Sequence, residues 1–175
     1  MNILLEKYKK AMDMLSKIIL IITAIMLCIM VLIIFLLVIT RKFFSYTPTG
    51  SEELTLMLMV YSGLLAAAVV YRERMHLGIH FFLQKMKPKP RNRIYFIIDI
   101  MIGLFSLFML FWGSSFAWEM RNQTMSATKI SVGISYLPIP LAGLFLILFV
   151  VEKIMTDFSE RKTGSEEKIN LELEV

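Results

Sequence analysis

Four long runs of apolar residues constrain this chain more than any other feature of its sequence. Ile18 to Ile39 has 22 residues without a charge, and 54–70 has 17. The third run, 94–118, has 25 residues with Asp99 as its only charge, and 130–151 again has 22 without one. A helix needs about 20 mostly apolar residues to cross a bilayer, and continuous runs are typical of helices rather than membrane strands. The sequence therefore predicts an all-α membrane protein with four transmembrane helices.

The composition also favours a membrane protein. Hydrophobic residues make up 57% of the 175 residues, whereas an average globular protein has about 45–50%. The single cysteine, Cys28, excludes an intrachain disulfide and a thiolate metal cluster. The first apolar run is longer than the core of a signal peptide, which has about 7–15 residues, and it lacks a small-residue cleavage site. We therefore expect it to be a retained helix.

Lysine and arginine are unequally divided between the two predicted sides of the membrane. Of the 19, 15 lie in the N-terminal segment, the connector after the second run and the C-terminal tail. The other side has Arg41, Lys42, Arg121 and Lys129. Because basic residues in short loops stay in the cytoplasm, we expect both termini and the middle connector to be cytoplasmic. This rule accounts for the net charge of +5, so nucleic-acid binding is not needed to explain it.

We predict one transmembrane domain over 1–156 and a cytoplasmic tail over 157–175. The spans are expected at about 18–39, 52–71, 94–118 and 130–151. Between the second and third spans, residues 73–86 show a helical apolar period with basic flanks. This pattern is typical of an amphipathic helix lying in the membrane interface. At the start of the second span, Ser51, Glu52 and Glu53 predict a capping hydroxyl followed by acids in the first turn.

The only two histidines, His76 and His80, would share one face of the predicted interfacial helix. Glu73 is the nearest candidate for a third metal ligand, and Leu77 stands where the zinc-enzyme pattern requires glutamate. We interpret the pair as solvated residues at the membrane surface, with a pH-sensitive or partner contact as the alternative.

The sequence lacks the motifs of catalysis and cofactor binding. It has no phosphate-binding glycine motif and no nucleophile elbow, and no histidine lies inside a span to hold a haem. We predict no catalytic residue, metal, cofactor or substrate site of its own, and no enzymatic activity.

Asp99 and two pairs of small residues are the features inside the spans that require an explanation. Asp99 lies about 7–8 Å along a helix from Ile94. It can therefore reach interfacial water or pair with an arginine such as Arg72 or Arg93, and we favour an intramembrane ion pair over an ion path. Small residues four apart allow helices to approach closely. The pairs are Gly63 with Ala67 and Gly113 with Ala117. Packing within the bundle is the favoured interpretation, and contact with another membrane subunit is the alternative.

Two stretches and the order of elements resemble the DctQ-like small membrane subunit of tripartite ATP-independent periplasmic (TRAP) transporters. The first is SEELTLMLMVYSGLLAAAVVYRERMHLGIHFF, residues 51–82, and the second is NQTMSATKISVGISYLPIP, residues 122–140. The matching positions are Glu52, Glu53, Ala66 to Ala68, Arg72, His76, Gly78, Ile79, Gln123, Tyr136, Leu137 and Pro138. The chain departs from the family in having alanines where glycine is frequent, and His80 where aspartate is frequent.

The resemblance implies a role without a substrate site. In such transporters a periplasmic DctP-like binding protein captures an organic acid, and a large DctM-like permease subunit moves it by a sodium-driven, elevator-like motion. The small subunit adds to the static scaffold in the inner-membrane bilayer. The candidate residues for partner contact or packing are Glu52, Glu53, Gly63, Ala67, Arg72, His76, Gln123 and Pro138. The alternatives are a membrane anchor or accessory subunit of another inner-membrane complex, and a self-sufficient small transporter.

Reporter fusions test the predicted orientation. The 15-to-4 division of basic residues predicts that a reporter fused at Val175 is cytoplasmic and one inserted at Thr49 is periplasmic. The measurement is the activity of compartment-specific reporters in whole cells. A periplasmic Val175 or a cytoplasmic Thr49 would refute the orientation.

Overall fold

The computed structural model describes residues 2–44, 48–73 and 88–173 of the chain. The helices in these ranges are α1 (Asn2–Phe44), α2 (Ser51–Arg72), α3 (Pro88–Glu119), α4 (Val132–Tyr136) and α5 (Pro138–Leu173), with a 3-10 turn at Met120–Asn122. Four stretches are long and apolar enough to cross a membrane: Glu6–Phe44, Ser51–Arg72, Phe96–Asn122 and Val132–Thr156. The predicted all-α fold with four membrane-length helices is confirmed. The predicted interfacial helix lies outside the described residues, apart from Glu73.

Helix α1 is longer than a membrane requires. Its 43 residues extend over about 65 Å, whereas the hydrocarbon core of a bilayer is about 30 Å thick. The first half buries Met12, Ser16, Ile19 and Thr23 at helical spacing against the rest of the bundle. Beyond Met26 most of its apolar side chains are exposed. The predicted span began at Ile18 and therefore left out the turns that carry the first two of these contacts.

The start of α2 differs from the prediction that Ser51 caps the helix. Gly50 occupies the N-cap position with φ 95°, a left-handed conformation that glycine adopts without steric cost. Ser51 is the first helical residue, and its hydroxyl donates to the carbonyl oxygen of Pro48 at 3.1 Å. A methyl group on Gly50 would lie 2.8 Å from Cγ2 of Thr128. The turn therefore places the start of α2 directly against the segment between α3 and α4.

The fourth apolar run contains a helix boundary. Helix α4 ends at Tyr136, and α5 begins at Pro138. Proline is well suited to the first position of a helix, because the N–H that it lacks would have no helical partner there. The side chain of Pro138 is buried, so this residue belongs to the packing of the bundle.

Helix α5 is the central element of the bundle. It packs against α2 and α3 and also contacts α1 and α4. The buried apolar residues at its contacts with α1 and α2 are Met12, Ile19, Leu65, Ala68, Val69, Tyr71, Leu146, Phe149 and Val150. We call the end of the bundle that carries Arg72 and Asp99 the terminal end, and the end that carries Gly50 the loop end. The core lies nearer to the terminal end.

The close contact between α5 and α3 depends on Gly143. A methyl group there would lie 2.9 Å from both the backbone nitrogen of Leu110 and the carbonyl oxygen of Ser106. Both are backbone atoms, so they cannot move aside as the tip of a flexible side chain can. Gly143 thus allows the two helix backbones to approach each other, as small residues do between membrane helices.

Adding a methyl group at Gly143 should weaken the isolated subunit. We expect Gly143→Ala to lower the free energy of unfolding by about 1–3 kcal/mol, since overpacking forces the backbones apart. The matched control is Gly63→Ala, because a methyl group on Gly63 would meet nothing within 4 Å. The measurement is unfolding of the purified subunit in detergent micelles. Equal stability of the two variants would contradict this account of the α3–α5 contact.

Candidate functional site

Arg72 joins three helices at the terminal end. Its Nε and one Nη donate to the two carboxylate oxygens of Glu152 in α5, both at 2.8 Å. The same Nη donates to Asp13 of α1 at 2.6 Å, and the other Nη donates to the hydroxyl of Ser16 at 3.2 Å. The side chains of Arg72 and Glu152 are only 15% and 11% exposed. A planar guanidinium matches a carboxylate in this two-bond geometry, so the contact fixes orientation as well as distance.

Asp99 lies beside this network and has different partners. Its side chain is nearly inaccessible, and it accepts a hydrogen bond from the Tyr71 hydroxyl at 2.7 Å. The ammonium of Lys153 is 3.4 Å from the same carboxylate oxygen and 4.2 Å from the centre of the Tyr71 ring. Asp99 was expected to pair with an arginine such as Arg72. It lies instead beside Lys153 of α5, and Arg72 is held by two other carboxylates.

At the loop end, Glu53 connects α2 to the segment between α3 and α4. Its carboxylate accepts hydrogen bonds from the backbone N–H of Ala127 at 3.1 Å and of Thr128 at 2.9 Å. The Thr128 hydroxyl donates to it as well, at 2.8 Å. The sequence predicted a favourable charge in the first turn of α2, and the structure adds a contact across 75 residues of chain.

An open apolar cleft lies between α2 and α3. Its volume is about 760 Å³, and its walls are almost entirely apolar. Four residues of α2 and six of α3 line it, together with Tyr136 of α4 and Ile139 of α5. The lining residues are Met59, Val60, Gly63, Leu64, Phe105, Phe108, Met109, Trp112, Gly113, Phe116, Tyr136 and Ile139.

The two pairs of small residues have different surroundings. Gly113 and Ala117 are buried, and a methyl group on Gly113 would lie 2.8 Å from Ile139. Gly63 and Ala67 are exposed, and Gly63 has open space beside it. Among the described residues, the second pair therefore packs inside the bundle, whereas the first pair lies on its surface. Contact of Gly63 and Ala67 with another subunit stays a prediction.

The other predicted contact residues are divided between surface and interior. Glu52 and Gln123 are exposed, whereas Pro138 is buried. Arg72 makes its polar contacts within the chain, and His76 lies outside the described residues. In the part of the chain that the structure describes, no three His, Cys, Asp or Glu side chains are grouped to hold a metal ion.

Sequence reasoning missed several residues that these sites use. They are Asp13, Ser16, Tyr71, Thr128, Glu152 and Lys153. Two of them could have been suspected, because Glu152 and Lys153 directly follow the last apolar run, where charges meet other helix ends. Thr128 carries no comparable signal, since its contact with Glu53 depends on how the chain between α3 and α4 folds back.

Comparisons with known proteins show that the chain is similar to components of membrane transporters. The family described as "Tripartite ATP-independent periplasmic transporters, DctQ component" matches residues 30–160. A Haemophilus influenzae protein assigned as a TRAP transporter small permease is 21% identical over 131 residues, which are 74% of this chain and 81% of the relative. The sialic acid TRAP transporter small permease protein of Vibrio cholerae is 25% identical over 119 residues, 66% of each chain.

Removing the Arg72 guanidinium should destabilise the bundle. Arg72→Leu leaves Glu152 and Asp13 without their cation, and breaking a buried pair in this way costs about 3–5 kcal/mol. Adding Glu152→Leu should restore part of the lost free energy of unfolding, because the double variant no longer buries an unpaired carboxylate. The measurement is a double-mutant cycle on unfolding in micelles. The control is Lys17→Leu, which removes an exposed cation. A loss no larger than that of the control would contradict a central role for Arg72.

Proposed function

The chain belongs to the DctQ family, the small permease subunits of TRAP transporters, and from this premise we propose that it is a static scaffold for a large permease subunit. As a member it is a transporter component and not an enzyme, and it is a multi-pass membrane protein. We propose that it works in a sodium-driven, tripartite transporter for organic acids, with a DctM-like permease and a DctP-like periplasmic binding protein. The relative named for sialic acid supports a carboxylate or sugar-acid substrate.

The observation that carries the scaffold proposal is the uncovered face of α2. Gly63 and Ala67 are exposed in the chain by itself, and Gly63 opens into the apolar cleft beside α3. In lipid, small residues favour close approach of another helix. A partner helix laid on this face could therefore bring its backbone near that of α2. The exposed second half of α1 offers further apolar surface to a membrane partner.

The internal contacts support the static part of the proposal. The pair of Arg72 with Glu152 is short and bidentate, and at Gly143 the backbones of α3 and α5 lie too close together to admit a methyl group. Elements joined by such contacts resist sliding, because each small displacement breaks a buried polar contact or causes a backbone clash. A subunit of this kind suits the fixed part of a transporter whose other part moves.

The orientation follows from the basic residues. We propose that the terminal end faces the cytoplasm and the loop end the periplasm, in the inner membrane. In this arrangement 1–156 is the membrane domain and 157–175 the cytoplasmic tail. Arg72 and Lys153 then lie at the cytoplasmic end, and the Glu53 contact lies on the side where a periplasmic binding protein arrives.

Bulky substitutions on the uncovered face test the proposal. Gly63→Leu or Ala67→Leu should reduce co-purification with the large permease and reduce sodium-driven uptake in vesicles that contain all three components. The reason is that leucine keeps a partner helix away and costs about 1–3 kcal/mol of packing. The matched control is Ser115→Leu, a small exposed residue of α3 that does not line the cleft. Leucine variants that assemble and transport normally would rule out this face as the contact.

Two further measurements separate a scaffold from an ion path. The binding protein should keep its affinity for its ligand in every case, because it folds separately. Asp99→Asn should reduce uptake only modestly if Asp99 is part of a structural pair with Lys153. Abolished uptake by Asp99→Asn in an intact complex, together with normal uptake by the leucine variants, would overturn the scaffold proposal in favour of an ion path.

A further inference from the structure

We infer that Glu53 is a positioning residue that holds the loop-end hairpin, residues 123–132, in the form that an acidic surface of the soluble binding protein recognises. This inference rests on the proposed function and on the proposed orientation of the loop end. To the proposed function it adds a contact site for the binding protein, the hairpin, and a residue that positions this site, Glu53.

The hairpin has little structure of its own to fix its position. Two backbone hydrogen bonds connect its arms, from Met125 N–H to Ile130 at 2.9 Å and from Val132 N–H to Gln123 at 2.8 Å. A two-stranded hairpin without a covering layer is marginally stable in water. Lys129 near its tip has φ 57°, a conformation that is uncommon for residues other than glycine. The position of the tip therefore depends on contacts from outside the hairpin.

Glu53 supplies these outside contacts. Two successive backbone N–H groups, those of Ala127 and Thr128, point at one carboxylate, and the Thr128 hydroxyl adds a third donor. Successive N–H groups of a turn form a concavity that favours an anion. Here the anion is a side chain of α2, so the hairpin tip is fastened to a membrane helix. Gly50 also lies close to Thr128, so the turn before α2 contacts the same point of the hairpin.

The surface that is held in this way is polar and carries two cations, Lys129 in the hairpin and Arg121 in the turn before it, with the exposed carboxylates of Glu52 and Glu119 at the same end. Arg121 and Lys129 are exposed, and neither forms an ion pair with another described residue. The guanidinium of Arg121 stacks on the Trp118 ring at 3.9 Å from its centre, and this contact does not neutralise its charge. Gln123 and Thr124 beside them are exposed as well. A water-soluble protein with an acidic patch fits this surface, since complementary charge steers encounter and fixes register.

Glu52 provides a matched control for the charge. It stands next to Glu53 in the first turn of α2 and is exposed, whereas the hydrogen bonds to the hairpin come to Glu53. Substituting either residue changes the net charge of the loop end by the same amount. An effect specific to Glu53 must therefore come from its hydrogen bonds to the hairpin.

The test is uptake by vesicles containing the small and large subunits, with the substrate-loaded binding protein titrated from outside. For Glu53→Ala we expect the half-saturating concentration of binding protein to rise about tenfold, because ordering the hairpin is then part of binding. The maximal rate should stay within about twofold of wild type. Glu53→Gln, which keeps one acceptor oxygen, should be intermediate, and Glu52→Ala should behave as wild type. A spin label at Ser126→Cys should become more mobile with Glu53→Ala only.

Several results would overturn the inference. These are equal effects of Glu53→Ala and Glu52→Ala, a lower maximal rate at unchanged half-saturation, or loss of the large subunit on purification. If the effect of Glu53→Ala on half-saturation depended on the anionic lipid content of the vesicles, the hairpin would contact lipid headgroups and not the binding protein. If Glu53→Ala does not fold, the half-saturating concentrations of Glu53→Gln and Glu52→Gln are compared instead, and equal values would overturn the inference. Uptake by wild type that needs neither the small subunit nor the binding protein would refute the proposed function itself, which is a separate outcome.

Discussion

The contact of Arg72 with Glu152 and Asp13 is the interaction on which the arrangement of the helices depends. Its donors join α2 to α5 and to the first half of α1. A buried charge without a partner is costly, so the mostly buried Arg72 needs the mostly buried carboxylate of Glu152. The carboxylate of Asp13, which is 59% exposed, adds a contact from the surface of α1. Lys153, next to Glu152 in sequence, approaches Asp99 and so brings in α3. All four membrane-length helices are thereby fixed relative to one another at the terminal end.

The sequence predicted those parts of the fold that depend on local composition. Long apolar runs require spanning helices whatever their neighbours are. The helix boundary before Pro138 was not predicted, because the apolar run over 130–151 continues through it and was expected to form one span. The partners of Asp99 and Arg72 could not be predicted, because several charges lie near the ends of the spans and only the rotation of each helix decides which of them meet. The same holds for Gly63 and Gly113. Both look alike in sequence, but a methyl group on Gly113 would meet Ile139 and Pro140 of α5, whereas one on Gly63 would meet nothing within 4 Å.

The two ends of the bundle differ in how they are held together. The terminal end is joined by side chains of four helices, and those of α2, α3 and α5 in these ion pairs lie largely out of solvent. The loop end depends on one carboxylate, a glycine turn and backbone donors of a short hairpin. Local opening costs less where fewer buried contacts must break. The loop end can therefore open locally at a lower cost in free energy, while the terminal end keeps the helices in place.

Arg72 and Lys153 have to act at two different times in the life of the protein. During insertion, when no tertiary contact exists yet, they are free positive charges on their side of the membrane, and charges of this kind orient a membrane chain. After insertion both are occupied by carboxylates of other helices, and they no longer contribute free charge to that side of the membrane. The signals that orient a nascent chain can thus become the packing contacts of the finished one. A lysine at position 72 would keep the first property and lose the two-bond geometry of the second, so biosynthesis and folding place different demands on the same residue.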